Sequence, residues 1–281
     1  IFGDSPLSVR LPFVLLSVLG GYLVLILARQ LWPRNPRRAG LAMVVMHLTP
    51  ILALGAVFAA PDMPMWVCWL GLILVARQAH RRDRLSDWLI LGGIGGLALL
   101  SKYTSALAIL GVLGWLLSTP RGRRQLRRLG PWLGACVALL LFVPVLSWNS
   151  QREWASFAFH LSGRHEQEVD ILAQLGTFLG SQALAISPLL LIACVGGLVS
   201  PGRCPPKLLS LLRWQSVPVL MLFGMTSPLT QFKAHWTAPG ILVAAILSVG
   251  WLESRRLRGW WWSGILGSAA LLTGLVHLQA L

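Results

Sequence analysis

Long apolar runs alternate with arginine clusters along this chain, and that alternation restricts the fold more than any other feature. The runs occupy approximately residues 11–31, 41–60, 63–77, 86–101, 103–119, 131–148, 171–199, 209–229, 236–252 and 260–280. A helix of about 20 apolar residues crosses the hydrocarbon core of a bilayer, with a range of roughly 17–25. Inside lipid every backbone amide must be satisfied within the protein, which a helix does segment by segment. The pattern therefore predicts an all-α, polytopic transmembrane helical bundle of about ten spans. Residues 1–281 read as one domain, with no internal repeat, low-complexity segment or soluble module.

Composition agrees. Only 12% of residues are charged and 56% are hydrophobic, against roughly 25% charged in soluble domains. The net charge of +15 would suit a nucleic-acid binder if it were spread over a surface, but it falls in bursts. Arg29, Arg34, Arg37 and Arg38 follow the first run. Arg77, Arg81, Arg82 and Arg84 follow the third, and Arg121, Arg123, Arg124, Arg127 and Arg128 the fifth. Arg203, Lys207 and Arg213 follow the seventh, and Arg255, Arg256 and Arg258 the ninth. Every second connection thus holds basic residues, nineteen of the 24 in all. By the positive-inside rule these connections are cytoplasmic. The opposite face keeps Arg10, Lys102, Arg152, Arg164 and Lys233 beside six of the nine acids. The expected location is the bacterial inner membrane, multi-pass, with that face toward the periplasm. Nucleic acid is excluded as a partner, and membrane lipid is implied.

The same alternation decides a local question. Residues 86–119 are apolar enough for one long helix, yet both ends are arginine-rich, so two passes turning near Ser101-Lys102-Tyr103-Thr104 are expected. Trp32, Trp88, Trp132, Trp148, Trp236 and Trp260-Trp261-Trp262 fall near predicted span ends, where amphipathic rings favour the interface. Gly92-Gly93-Ile94-Gly95-Gly96 holds a GxxxG spacing and predicts close helix packing. Cys68, Cys136, Cys194 and Cys204 form no metal-like spacing.

The unusual polar residues gather on the predicted outer face, where charge near membrane depth is costly and tends to mark function or pairing. In Ala59-Ala60-Pro61-Asp62-Met63-Pro64 two prolines stop one helix and start the next. Asp62 is then either a cap complementing the helix dipole or a carboxylate able to take a proton. Lys102 is either a snorkelling lysine or a cation for a phosphate held at the surface. Lys233, His235 and Trp236 offer a cation, a titratable ring and a flat stacking face, or simply an interfacial anchor. Arg164-His165 lies in the largest outer loop, as a solvated charge or a ligand group. No zinc or calcium motif and no hydrolase triad is present.

Five separated strings carry a resemblance: FGDSPLSVRLP at the start, APDMP at 60–64, GGLALLSKYT at 95–104, WNSQREWASFAFHLSGR at 148–164 and KAHWTAP at 233–239. Together they resemble the membrane-embedded GT-C glycosyltransferases, nearest the bacterial branch of the protein O-mannosyltransferase family that includes the aminoarabinose transferase acting on lipid A. The resemblance implies a GT-C-like bundle and sugar transfer on the outer side of the membrane. The donor would be a polyprenyl-phosphate-linked monosaccharide, and the acceptor a hydroxyl of a glycolipid such as lipid A or of a protein. A carboxylate would act as base, and configuration would invert as the lipid phosphate leaves. Asp62 matches the family's second acidic position and Arg10 the arginine of its VRLP string. Lys102, Arg164, Lys233 and Arg10 would hold the donor phosphate, and Tyr103, His165, His235 and Trp236 would line the substrate. No cofactor is called for, with room left for a divalent cation.

The family carries a further acid in its first outer loop, upstream of the strings matched here, and Asp4 does not match it. The expectation is that the family's first helix and first catalytic loop precede Ile1. Two other classes compete: a lipid or solute transporter or flippase, and a non-catalytic membrane subunit that binds lipid-linked sugar. No inverted repeat is visible, and the charges sit at helix ends instead of mid-span, where transport sites lie.

Overall fold

The computed structural model describes residues 5–161, 170–229, 232–255 and 259–280, and every regular element among them is helical. Helix α1 (Pro6–Leu31) leads to α2 (Pro36–Leu48), α3 (Pro50–Gly55), α4 (Asp62–Arg82) and α5 (Leu85–Ser101). A 3-10 turn (Tyr103–Ser105) precedes α6 (Ala106–Ser118), α7 (Pro120–Gln125), α8 (Leu129–Ser150), α9 (Ala155–Leu161), α10 (Ile171–Ile186), α11 (Pro188–Val199) and α12 (Pro206–Thr226). Short 3-10 turns at Ser227–Leu229 and Ala234–Thr237 lead into α13 (Ala238–Ser254) and α14 (Gly259–Ala280).

All ten apolar runs fall on helices, but they do not all make one straight span. Among the described residues, five helical stretches are long and apolar enough to cross a membrane: 6–31, 129–150, 206–229, 234–254 and 259–278. The run 171–199, expected as a single span, is two helices bent by 93°. Ser187 takes φ 78° at the joint, and Pro188, which cannot donate a backbone hydrogen bond, starts the second piece. The Ser187 hydroxyl meets that of Ser268 at 2.9 Å. The run 41–60 breaks in the same way before Pro50, where Thr49 is extended.

The hairpin of α5 and α6 is as expected. Asp83, just before α5, accepts from Arg128 beyond α7 at 2.5 Å, and Arg121 donates to the Arg81 carbonyl at 2.7 Å. Both arginine-rich ends therefore meet at one end of the bundle, and the 101–104 turn lies at the other. Arg38 reaches Glu253 and Arg77 reaches Gln30 at that same basic end. The charge segregation seen in sequence is thus a segregation in space.

Helix α13 is the axis of the bundle. It is apolar around its whole circumference, as expected of a helix buried on all sides, and residues 238–250 are all buried. The glycine cluster packs α5 on α8: a Cβ on Gly92 would lie 1.9 Å from the Gly134 carbonyl oxygen, and one on Gly96 2.7 Å from Leu141 Cβ. Gly92→Ala should force the helices apart and destabilise the fold by about 1–3 kcal/mol or more. Gly93→Ala meets nothing within 4 Å and should leave stability in detergent unchanged. Equal thermal midpoints for the two variants would refute the close packing.

The tryptophans divide. Trp132, Trp148, Trp260 and Trp261 are exposed, as interfacial rings should be. Trp32 and Trp88 are buried instead. The Arg38 guanidinium lies over the Trp32 ring, and the Trp88 indole donates to Asp83 at 3.1 Å. These two belong to the packing of the basic end.

Candidate active site

The proline-flanked turn does start a helix at Asp62, although the helix before it has already ended at Gly55, and Asp62 is not the cap. Pro61 holds the cap position and Asp62 is the first helical residue, with no side-chain bond to the backbone of its own helix. Pro64 falls within the first turn, where a missing amide costs no intrahelical bond. Freed from capping, the Asp62 carboxylate accepts from Lys102 Nζ at 2.8 Å. The side chains are 12% and 21% exposed, so the pair is largely withdrawn from water.

Lys102 is placed by the end of α5. Its backbone is extended (φ −162°, ψ 134°), and its amide still donates to the Ala98 carbonyl at 3.0 Å. The buried Ser105 hydroxyl donates to the same carbonyl at 2.7 Å, closing the turn. That closure turns the lysine toward α4. Lys102 therefore does not simply snorkel to the interface; its ammonium is committed to a carboxylate 40 positions earlier.

Tyr103, next in the chain, hydrogen-bonds Ser156 Oγ at 3.0 Å and sets its ring against Phe142 and Phe157. Asn149, fully buried, accepts from the Ser156 amide at 3.2 Å and donates to the Val145 carbonyl at 3.0 Å. The WNSQREWASF string is thus a clip that seats α9 over Tyr103. Asn149 and Ser156 were not singled out in sequence, although a buried Asn ending an apolar helix is the signal that marks them.

A second cluster forms at the same end of the bundle around Ala234–Thr237. Gln182 of α10 donates to the Ala234 carbonyl at 3.3 Å and accepts from Thr237 Oγ1 at 2.6 Å. Trp236 packs against Phe223 and Phe232, and Phe232 against Phe178. Lys233 is exposed and His235 half-buried. Gln182 was missed because it lies mid-run, where only a partner far along the chain gives it meaning.

The sequence-predicted residues are thus divided. The structure brings Asp62 and Lys102 together, sets the neighbouring Tyr103 against Ser156, Phe142 and Phe157, and gathers Lys233, His235 and Trp236 on the other cluster. None of the ion pairs among the described residues joins the two. Arg10 stands apart: Gly20 of α1 lies against Met63, so Arg10, ten residues earlier, is about 15 Å farther along the helix axis. Arg164 and His165 lie outside the described residues. Among the described residues no three His, Cys, Asp or Glu side chains converge as a metal site would require.

The family model described as dolichyl-phosphate-mannose-protein mannosyltransferase matches residues 1–148, more than half of the chain. The lipid A galacturonosyltransferase RgtD of Rhizobium johnstonii is 25% identical over 213 residues, covering 72% of this chain and 43% of that protein. The undecaprenyl phosphate-alpha-4-amino-4-deoxy-L-arabinose arabinosyl transferase of Pectobacterium carotovorum is 27% identical over 270 residues, covering 90% and 47%. The crystal structure of ArnT from Cupriavidus metallidurans bound to undecaprenyl phosphate superposes with a TM-score of 0.65 at 21% identity, covering 92% of this chain and 48% of that one. The chain spans less than half the length of these relatives. With the family model matched over residues 1–148, this multi-pass membrane chain belongs to the dolichyl-phosphate-mannose-protein mannosyltransferase family.

Proposed function

We propose that this chain is part of a glycosyltransferase that moves a monosaccharide from a polyprenyl-phosphate-linked donor to a hydroxyl of a glycolipid, such as lipid A, or of a protein. Transfer takes place at the periplasmic face of the inner membrane. The observation that carries this reading is the Asp62–Lys102 pair: a carboxylate and an ammonium 2.8 Å apart, withdrawn from water, at the end of the bundle opposite the arginines. RgtD is a lipid A galacturonosyltransferase and the Pectobacterium relative an undecaprenyl phosphate aminoarabinose transferase, both of this class, and the ArnT crystal structure has undecaprenyl phosphate bound.

The chemistry follows from the charges. In the inverting reaction the acceptor oxygen bonds to the anomeric carbon as the bond from that carbon to the phosphate oxygen breaks. The acceptor proton passes to a carboxylate, and the polyprenyl phosphate departs with the bonding electrons. A phosphate arriving beside Lys102 competes with Asp62 for the ammonium and frees the carboxylate for the acceptor. Positive charge already in place at the leaving group is where electrostatic preorganisation contributes most. Lys233 and Arg164 supply further phosphate charge in this reading, Arg10 lies too far along α1 to share it, and Tyr103, His165, His235 and Trp236 line the sugar.

Orientation tests the reading at its base. Single cysteines replacing Ser5 or Gln151, in a background lacking the four native cysteines, should react with an impermeant thiol reagent from outside. Cysteines replacing Arg123 or Ser254 should not. All four positions are exposed, so a silent residue reports its side of the membrane and not its burial. The inverse pattern would put Asp62 on the cytoplasmic side and overturn the proposal.

A further inference from the structure

The arginine-rich end holds a cavity of about 540 Å³ between the last turns of α1 and α4, lined by Arg29, Gln30, Arg77, Gln78, Arg81 and Arg82. Its size falls within the roughly 300–1,000 Å³ of small-molecule sites. Four guanidiniums border it. Of the described acids nearby, Asp83 pairs with Arg128 and Glu253 with Arg38, while Asp87 accepts from the Gln78 amide of the cavity lining at 2.6 Å and forms no ion pair with the four arginines. None of the four arginines forms an ion pair among the described residues.

Arginines in a last helical turn complement the carbonyls of that end, and Arg29, Arg81 and Arg82 fit that role. Arg77 does not, because it lies more than a turn before the end of α4. Its guanidinium is oriented instead by the Gln30 side chain, which fixes a fork facing the cavity wall. Four like charges around one concavity repel one another, and an anion relieves that repulsion. The planar guanidinium matches a phosphate with two parallel hydrogen bonds. Basic pockets between transmembrane helices on the cytoplasmic side take acidic lipid headgroups by this means.

The geometry points to a binding site for a phosphate-bearing anion at the cytoplasmic end of α1 and α4, far from the Asp62–Lys102 pair. The phosphate comes either from an anionic phospholipid of the adjoining leaflet or from a soluble phosphate. Full-length protein in detergent is incubated with phosphatidylglycerol, with phosphatidylcholine of the same acyl chains, or with millimolar inorganic phosphate. Bound adducts are then counted by native mass spectrometry. Selective retention of phosphatidylglycerol assigns the lipid source, and phosphate adducts without lipid preference assign the soluble one.

In either case retention should fall about tenfold or more in Arg77→Gln and in Arg29→Gln/Arg82→Gln, as expected for lost charge-assisted contacts. Arg77 also ties α4 to α1, so the double variant, whose side chains are exposed and carry no described hydrogen bond, tests the site without disturbing the packing. Two results overturn the proposal: no anion-selective adduct in the wild type, or adducts unchanged in the double variant.

Discussion

Asp62→Asn in the full-length protein should lower the transfer rate by about 10²–10⁴, the usual share of a general base, while the protein stays folded. An amide keeps the shape of the carboxylate and can still accept from Lys102, but it cannot take a proton from an acceptor hydroxyl. The structural cost is bounded by the position of the pair. Exposed ion pairs contribute about 0–1 kcal/mol, and removing one partner of a fully buried pair costs roughly 3–5 kcal/mol. At 12% and 21% exposure the pair falls between these limits, and Asn retains the hydrogen bond. The thermal midpoint should therefore drop modestly.

Donor binding separates chemistry from architecture in this variant. With its counter-ion neutralised, Lys102 is free for the phosphate, so Asp62→Asn should bind a polyprenyl-phosphate sugar at least as tightly as wild type while failing to transfer it. A merely structural Asp62 predicts the reverse: weaker donor binding in step with weaker folding. Near-normal transfer by Asp62→Asn would end the catalytic assignment.

The complementary expectation concerns Lys102. Lys102→Ala should weaken donor binding by about one to two powers of ten, since a charge-assisted hydrogen bond contributes roughly 1.5–3 kcal/mol. Lys102→Arg should lose less, because the charge is kept. The ion pair adds a second effect: without the ammonium, the Asp62 carboxylate is left facing the incoming phosphate, and the two anions repel. The double variant Asp62→Asn/Lys102→Ala removes that repulsion and should bind donor better than Lys102→Ala alone, a coupling that a double-mutant cycle reads directly. Additive losses, or wild-type binding by Lys102→Ala, would show that Lys102 only holds Asp62 in place.

Much of this architecture was legible in the chain because it is local. A run of apolar residues is long enough to form a membrane helix or it is not, and Pro61 favours a helix start at Asp62 whatever surrounds it. The two-pass reading of 86–119 followed from Arg84 at one end and Arg121 at the other, and the Asp83–Arg128 pair bears it out. The family was readable from short strings on one face, and the match over residues 1–148 agrees. Other features were not legible. Trp32 and Trp88 have the sequence surroundings of interfacial rings, yet they are buried by neighbours from α13 and α8. The 171–199 run has one span's worth of hydrophobicity with a proline inside it, and composition alone does not say whether a proline kinks a helix or turns it by 93°.

The sequence by itself determined where the helices are, which ends share a face and which family the chain belongs to. Each of these depends on residues adjacent in the chain or on a sum over a loop. The tertiary structure decided which group the Asp62 carboxylate meets. In sequence it reads as a cap or as a carboxylate able to take a proton, and its partner is set only by α5 lying beside α4, because a carboxylate at a helix start can satisfy its own backbone or reach a cation 40 residues away. Only the order of helices around α13 says which cation is within 2.8 Å. The same holds for Gln182 and Thr237, 55 positions apart and joined by one hydrogen bond. Inside a membrane protein apolar faces are nearly interchangeable, so polar partners, which the chain presents singly and far apart, are settled by packing.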